Sequence, residues 1–270
     1  MKKTTLFWFI VGLITILNFI LYNSELDKKT MIYSSDILPV ICALLSSIIL
    51  FVTIKKFKKF DYTKLAWIMI LIGIFLYFMG ELTYAILEIF FKIDMNETYP
   101  SIADYFWGIG YIPLFVGLII MILGYKKGSL LLGKKWVFIT ISVFFAVILY
   151  VSIHFLLNPI IIDPETNLLA KFFYLLYPIA DILLIYPTFI LIYITSLFGK
   201  GFISKPWKYI SLSFISFTLA DLLYSYLNWQ DLYGIFNFID IASNLGYLLI
   251  GIAGFYQMEM LDYLKELEES

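Results

Sequence analysis

Apolar residues in this chain come in long blocks, not in strand-like alternation or one-sided helical stripes. Eight blocks, at about 5–22, 35–54, 65–91, 102–124, 135–157, 169–198, 207–228 and 236–257, reach the ~20 residues a helix needs to cross hydrocarbon. Polar residues gather in the short linkers between them, which leave no room for a soluble domain. The pattern predicts an all-α integral membrane protein. It would be a single eight-helix bundle over residues 1–257, with 258–270 a short cytoplasmic helical tail.

Composition agrees: 62% of residues are hydrophobic and 14% charged, against about 25% charged in soluble domains. Lysine placement sets the topology. Fifteen of the 19 basic residues, all lysine, fall before the first span, in the second, fourth and sixth linkers and in the tail. Positive charge stays inside, so both termini are expected in the cytoplasm of a multi-pass plasma-membrane protein. Trp8, Trp67, Trp136 and Trp207 then mark inner span ends, and Trp107 and Trp229 outer ones, as interfacial indoles prefer. Lys2-Lys3 before an apolar run also fits a signal peptide, whose cleavage would leave seven spans. Leu21-Tyr22-Asn23-Ser24 lacks a small-x-small cleavage site, which favours an uncleaved span.

Two hairpins resemble each other. Spans three and four read Glu81-x-x-Tyr84, Asp104 and Gly110-Tyr111; spans seven and eight read Asp221-x-x-Tyr224, Asp240 and Gly246-Tyr247. Four spans apart, the copies share one orientation, a parallel repeat unlike the inverted repeats of many transporters. Spans five and six read as a poor third copy with Asp181 as its acid.

The depth of these acids points to a site. At 1.5 Å per residue, Glu81, Asp181 and Asp221 fall in the outer half of the membrane, with Asp104 and Asp240 at outer helix starts. Each intramembrane carboxylate costs about 2.5–3.5 kcal/mol and normally faces the bundle interior. Glu81, Tyr84, Asp104, Tyr111, Asp181, Asp221, Tyr224 and Asp240 are therefore the candidate ligand-binding residues, expected around an outward-opening cavity suited to a cation, an amine or a polar lipid headgroup. Tyr177, Tyr186 and Tyr247 are further hydroxyl donors. The competing reading for Asp104 and Asp240 is helix capping, and for Glu88 mere solvation at the interface. Pro113, Pro178 and Pro187 should interrupt spans four and six, freeing backbone carbonyls.

Other chemistry finds little footing. One cysteine, Cys42, gives no disulfide framework, and one histidine, His154, no bis-histidine haem or histidine-rich zinc site. Without arginine, bidentate phosphate clamps are missing. No basic patch suggests nucleic acid, and no phosphate loop, HExxH or serine elbow is present. No catalytic residue, metal or cofactor is expected, although paired intramembrane acids leave a hydrolase as a minor alternative. Asn96-Glu97-Thr98 is a weak glycosylation sequon.

Several motifs are similar to those of a known module. Tyr99-Pro100-Ser101-Ile102-Ala103-Asp104, followed by Gly110-Tyr111, Pro113 and Gly117-Leu118, resembles the "YPSxAD…GY…GL" segment of a multi-spanning N-terminal sensory module. That module precedes diguanylate cyclase, phosphodiesterase or histidine-kinase domains in bacterial and archaeal signalling proteins. Tyr177-Pro178-Ile179-Ala180-Asp181 looks like its "YPxxD" helix, and Ala220-Asp221-Leu222-Leu223-Tyr224 with Gly246-Tyr247 its closing hairpin. The likeness covers about 65–257, and the module is expected here without an effector domain. It implies a sensory or ligand-binding role. The ligand expected from the acids is a small molecule, lipid or ion, and the helical spacing of Leu261, Leu264 and Leu267 in the tail points to a cytoplasmic effector or a second copy as partner. The alternative is a small proton- or cation-coupled transporter or channel.

Overall fold

Within hydrocarbon a backbone can satisfy its polar groups only by closing helices on itself, and each apolar block does so. The computed structural model describes residues 3–23, 28–93, 95, 98–128, 133–198, 203–230, 232 and 239–269. Its eight long helices are α1 (Lys3–Asn23), α2 (Lys28–Lys55), α3 (Tyr62–Ala85), α4 (Ile102–Lys127), α5 (Lys135–Val151), α6 (Leu168–Ser196), α7 (Lys205–Trp229) and α8 (Asp240–Glu269). A π-helical turn, Ile86–Phe90, prolongs α3, and another, Ser152–Leu157, leads α5 into a last turn at Asn158–Ile162. All eight are long and apolar enough to cross a membrane: this is a multi-pass membrane protein. The sequon's Asn96 and Glu97 lie outside the described residues.

The expected interruptions do not occur. α4 runs through Pro113, α6 through Pro178 and Pro187, and α2 through Pro39. A proline removes one N–H, and lipid offers the rest of the helix no competing partner. α8 runs past the apolar block into the tail, where Lys56 of α2 pairs with Asp262 at 2.5 Å.

Six helices close a ring. α2 packs on α3, α3 on α4, α4 on α6, α6 on α7, α7 on α8, and α8 back on α2. α1 rides outside on α8 and α2, and α5 outside on α6. Exchanging α2–α4 with α6–α8 leaves this order of contacts unchanged, the pattern of a pseudo-two-fold axis. Spans five and six are therefore not a third copy of the hairpin; α6 is the counterpart of α2. Pro39-Val40-Ile41-Cys42 of α2 aligns with Pro178-Ile179-Ala180-Asp181 of α6.

Corresponding residues meet on the axis. Trp67 and Trp207 lie with ring centroids 5.7 Å apart, and Tyr77 and Phe217 6.1 Å apart. Trp67 and Trp207 are thus fully buried, not interfacial, because the ring of helices needs bulky rings to fill its centre. Within each hairpin a glycine admits the partner ring. A Cβ on Gly110 would stand 2.6 Å from the Tyr77 ring, and one on Gly246 2.7 Å from Phe217. Hydroxyls seal α8 into the ring: Ser213 donates to the Gly246 carbonyl at 2.7 Å and Ser46 to Tyr247 at 2.5 Å. Small residues and such hydroxyl bonds are the usual adhesives between helices in lipid.

At the end remote from the termini, Asp163 ties the α5–α6 connection to the end of α7. Thr166 Oγ1, Trp229 Nε1 (2.7 Å) and the Glu165 N–H (2.9 Å) all donate to its carboxylate. These donors hold the Asp163 carboxyl down at about 2, against an ordinary 3.8. Its stabilisation is thus fully present above about 4 and lost as pH falls through about 2. A Trp229-dependent change in emission is expected across that window, and its absence from Asp163→Asn checks the assignment.

Candidate functional site

The site begins where the central rings hold α3 and α7 apart. A cavity of about 380 Å³ opens at the end of the ring remote from the termini. Six carboxylates line it: Asp36, Glu81, Glu88, Asp104, Asp221 and Asp240. Between them stand the rings of Tyr77, Tyr84, Tyr99, Tyr111, Trp107 and, from the second half, Tyr177, Tyr224 and Tyr247. No lysine is among the described lining residues.

Two hydrogen bonds organise the wall, each crossing between the halves. Tyr247 of α8 donates to Glu81 of α3 at 2.6 Å, and Tyr111 of α4 donates to Asp221 of α7 at 3.3 Å. Glu81 corresponds to Asp221 and Tyr111 to Tyr247, so each repeat supplies a tyrosine to the other's acid. Glu81 and Tyr84 are three positions apart on one helix face, as are Asp221 and Tyr224, so acid and ring reach the same space. The π turn after α3 keeps Glu88 at the cavity rather than leaving it merely solvated; π turns commonly adapt a helix near a site.

Asp104 both caps and lines. Its Oδ2 accepts from the Ser101 N–H at 2.6 Å and the Ser101 hydroxyl at 3.0 Å, while Ser101 Oγ accepts from the Ala103 N–H at 3.1 Å. This closes the reciprocal box that starts α4. Its other oxygen accepts from Tyr177 at 2.5 Å. Capping and cavity are not alternatives here, because a carboxylate has lone pairs enough for both.

Of the eight sequence candidates, seven meet at this cavity: Glu81, Tyr84, Asp104, Tyr111, Asp221, Tyr224 and Asp240. Asp181 does not line it. Fully buried, Asp181 lies within hydrogen-bonding reach of Asp221 and Tyr111, yet neither of its oxygens meets a donor among the described residues. It lies one turn farther along α6 than Tyr177, which does line the cavity. Tyr186 is elsewhere too, sharing a hydrogen bond with Ser142 at 2.9 Å. His154 stacks on Tyr150, and Lys171 donates to the carbonyls of Ile161 and Asp163, so both stay away from the cavity.

Sequence reasoning missed Asp36 and Tyr77. Asp36 lies near the outer start of α2 and was within reach of the intramembrane-acid argument used for the others. Tyr77 carried no signal apart from its place four residues before Glu81, matching Phe217 before Asp221. No three His, Cys, Asp or Glu residues among those described are grouped to hold a metal. Chemically, the cavity joins a dense set of carboxyl groups to aromatic faces, which attract cations and especially ammonium groups.

Compared with protein-family models, curated proteins and solved structures, the chain matches none.

Proposed function

We propose that the protein is a sensory, ligand-binding membrane module whose cavity recognises an organic cation carrying ammonium groups. The carrying observation is the lining: among the described residues, six carboxyl groups stand between tyrosine and tryptophan rings, with no lysine. Carboxylates supply charge and acceptors, and rings supply cation–π faces and apolar contact for attached methylenes. An anion would find no cationic side chain among the described lining residues. The lysine distribution supports cytoplasmic termini, and with that topology the cavity would open to the outside and meet ligands there. The likeness of 65–257 to sensory modules of signalling proteins supports the same role, with α8 carrying the signal to a cytoplasmic effector or a second copy. Leu264 and Leu267 are exposed on its tail.

Trp107 in the wall is the natural reporter. With the protein in lipid nanodiscs, a saturable change in tryptophan emission is expected on titration with 1-aminobutane or tetramethylammonium, and none with acetate. Trp107→Phe should remove the spectral change while leaving binding, read by calorimetry. No saturable response to either cation would sink the proposal. Transport is separated by liposome flux: protein-dependent cation flux that vanishes in Glu81→Gln would replace sensing.

A further inference from the structure

We infer that the cavity takes a linear diammonium ligand, a diamine or polyamine, with one ammonium at Glu81 and another at Asp221. This rests on the ammonium reading above and narrows it to a class.

The duplication is the first ground. Glu81 and Asp221 are counterparts across the pseudo-two-fold axis, and each is held by a tyrosine from the opposite half, at 2.6 and 3.3 Å. One such hydrogen bond leaves most of a carboxylate's acceptor capacity open, so the axis presents two matching half-sites to one space. Asp104 and Asp240 repeat the pairing at the starts of α4 and α8.

Between the half-sites the wall is aromatic. The Tyr77 ring stands edge-on to Tyr111 at 5.4 Å and to Tyr247 at 6.4 Å. Tyr77 therefore touches both tyrosines that hold the two acids, and methylenes spanning them would run over its ring. A monocation would occupy one half-site and leave the other carboxylate in a confined space without a counter-charge, which is costly.

An unsatisfied group supplies an independent ground. Asp36 lines the cavity and is 6% exposed, yet its Oδ2 has no partner among the described residues. The Tyr77 hydroxyl, also more than nine-tenths buried at the cavity, has no hydrogen-bond partner among the described residues either. An amine N–H would satisfy Asp36, and a third nitrogen would give a polyamine an advantage over a diamine. A space of about 380 Å³ accommodates a flexible chain of this kind.

Calorimetry on the full chain in nanodiscs tests this with 1,3-diaminopropane, 1,4-diaminobutane, 1,5-diaminopentane, spermidine and 1-aminobutane. Joining two ammonium groups makes the second contact intramolecular, so the best diamine should bind one-to-one and about 100-fold tighter than 1-aminobutane. Affinity should pass through an optimum with chain length. Glu81→Gln and Asp221→Asn should each bring the best diamine close to the monoamine while 1-aminobutane still binds, which also shows that the variants are folded. Two monoamines bound per chain, with diamines no tighter and no length optimum, would overturn the diammonium inference and leave the ammonium reading standing. Diamine affinity unchanged in both variants would overturn it too. If no amine binds at all, both readings fall.

Discussion

Gly117→Val is expected to unfold the α3–α4 hairpin in detergent at temperatures where the unaltered protein is intact. A Cβ at 117 would stand 2.8 Å from the Ala66 carbonyl oxygen, and one at Gly73 2.9 Å from that of Gly110. Backbone cannot step aside as a flexible side chain can, so the helices must separate. Overpacking of this kind typically costs about 1–3 kcal/mol, occasionally more, and a β-branched residue adds a second clash. Separation would also pull Tyr111 away from Asp221 and so open the cavity wall. Gly12→Val is the control, since nothing lies within 4 Å of a Cβ there. Thermal midpoints for the two variants measure the difference, and equal midpoints would show that α3 and α4 are not in close backbone contact.

Asp181→Asn should do the reverse and stabilise the bundle. The carboxyl of Asp181 is fully buried against that of Asp221, with no donor to either oxygen among the described residues. Two carboxyls in contact attract only when a proton or cation lies between them. An asparagine amide keeps the shape and supplies a donor to Asp221, and hydrogen bonds to charged groups contribute about 1.5–3 kcal/mol. A higher unfolding midpoint is expected for Asp181→Asn, with Asp181→Ala falling below it because a cavity replaces the side chain. A midpoint lower than the unaltered protein's would mean that the Asp181 carboxyl already has a favourable partner.

Asp181 sets a second acid against Asp221. On the α2 side the counterpart of Asp181 is Cys42, near Glu81 and uncharged. The two half-sites thus differ: a second carboxyl stands against Asp221, and a thiol stands near Glu81.

The eight spans were legible in the amino-acid order because crossing hydrocarbon is a local requirement: a block of about 20 apolar residues must be helical wherever its neighbours go. The deep acids were legible for a related reason, since the cost of a carboxylate at that depth depends on the bilayer and not on the fold. The Glu81 and Asp221 repeat could be read as spacing. What it meant, an exchange of tyrosines across a pseudo-two-fold axis, needed both halves in contact. The same holds for the errors. Trp67 and Trp207 look like interfacial anchors until the ring of helices turns them inward, and Pro113, Pro178 and Pro187 look like breaks until lipid removes every competitor for the helix. Asp181 has the same sequence credentials as Asp221, yet one lies behind the cavity wall and the other in it. Which face of a helix meets which neighbour depends on contacts between residues far apart in the chain. Membrane insertion was therefore determined by the sequence alone, whereas the membership of the cavity was decided only when the ring closed.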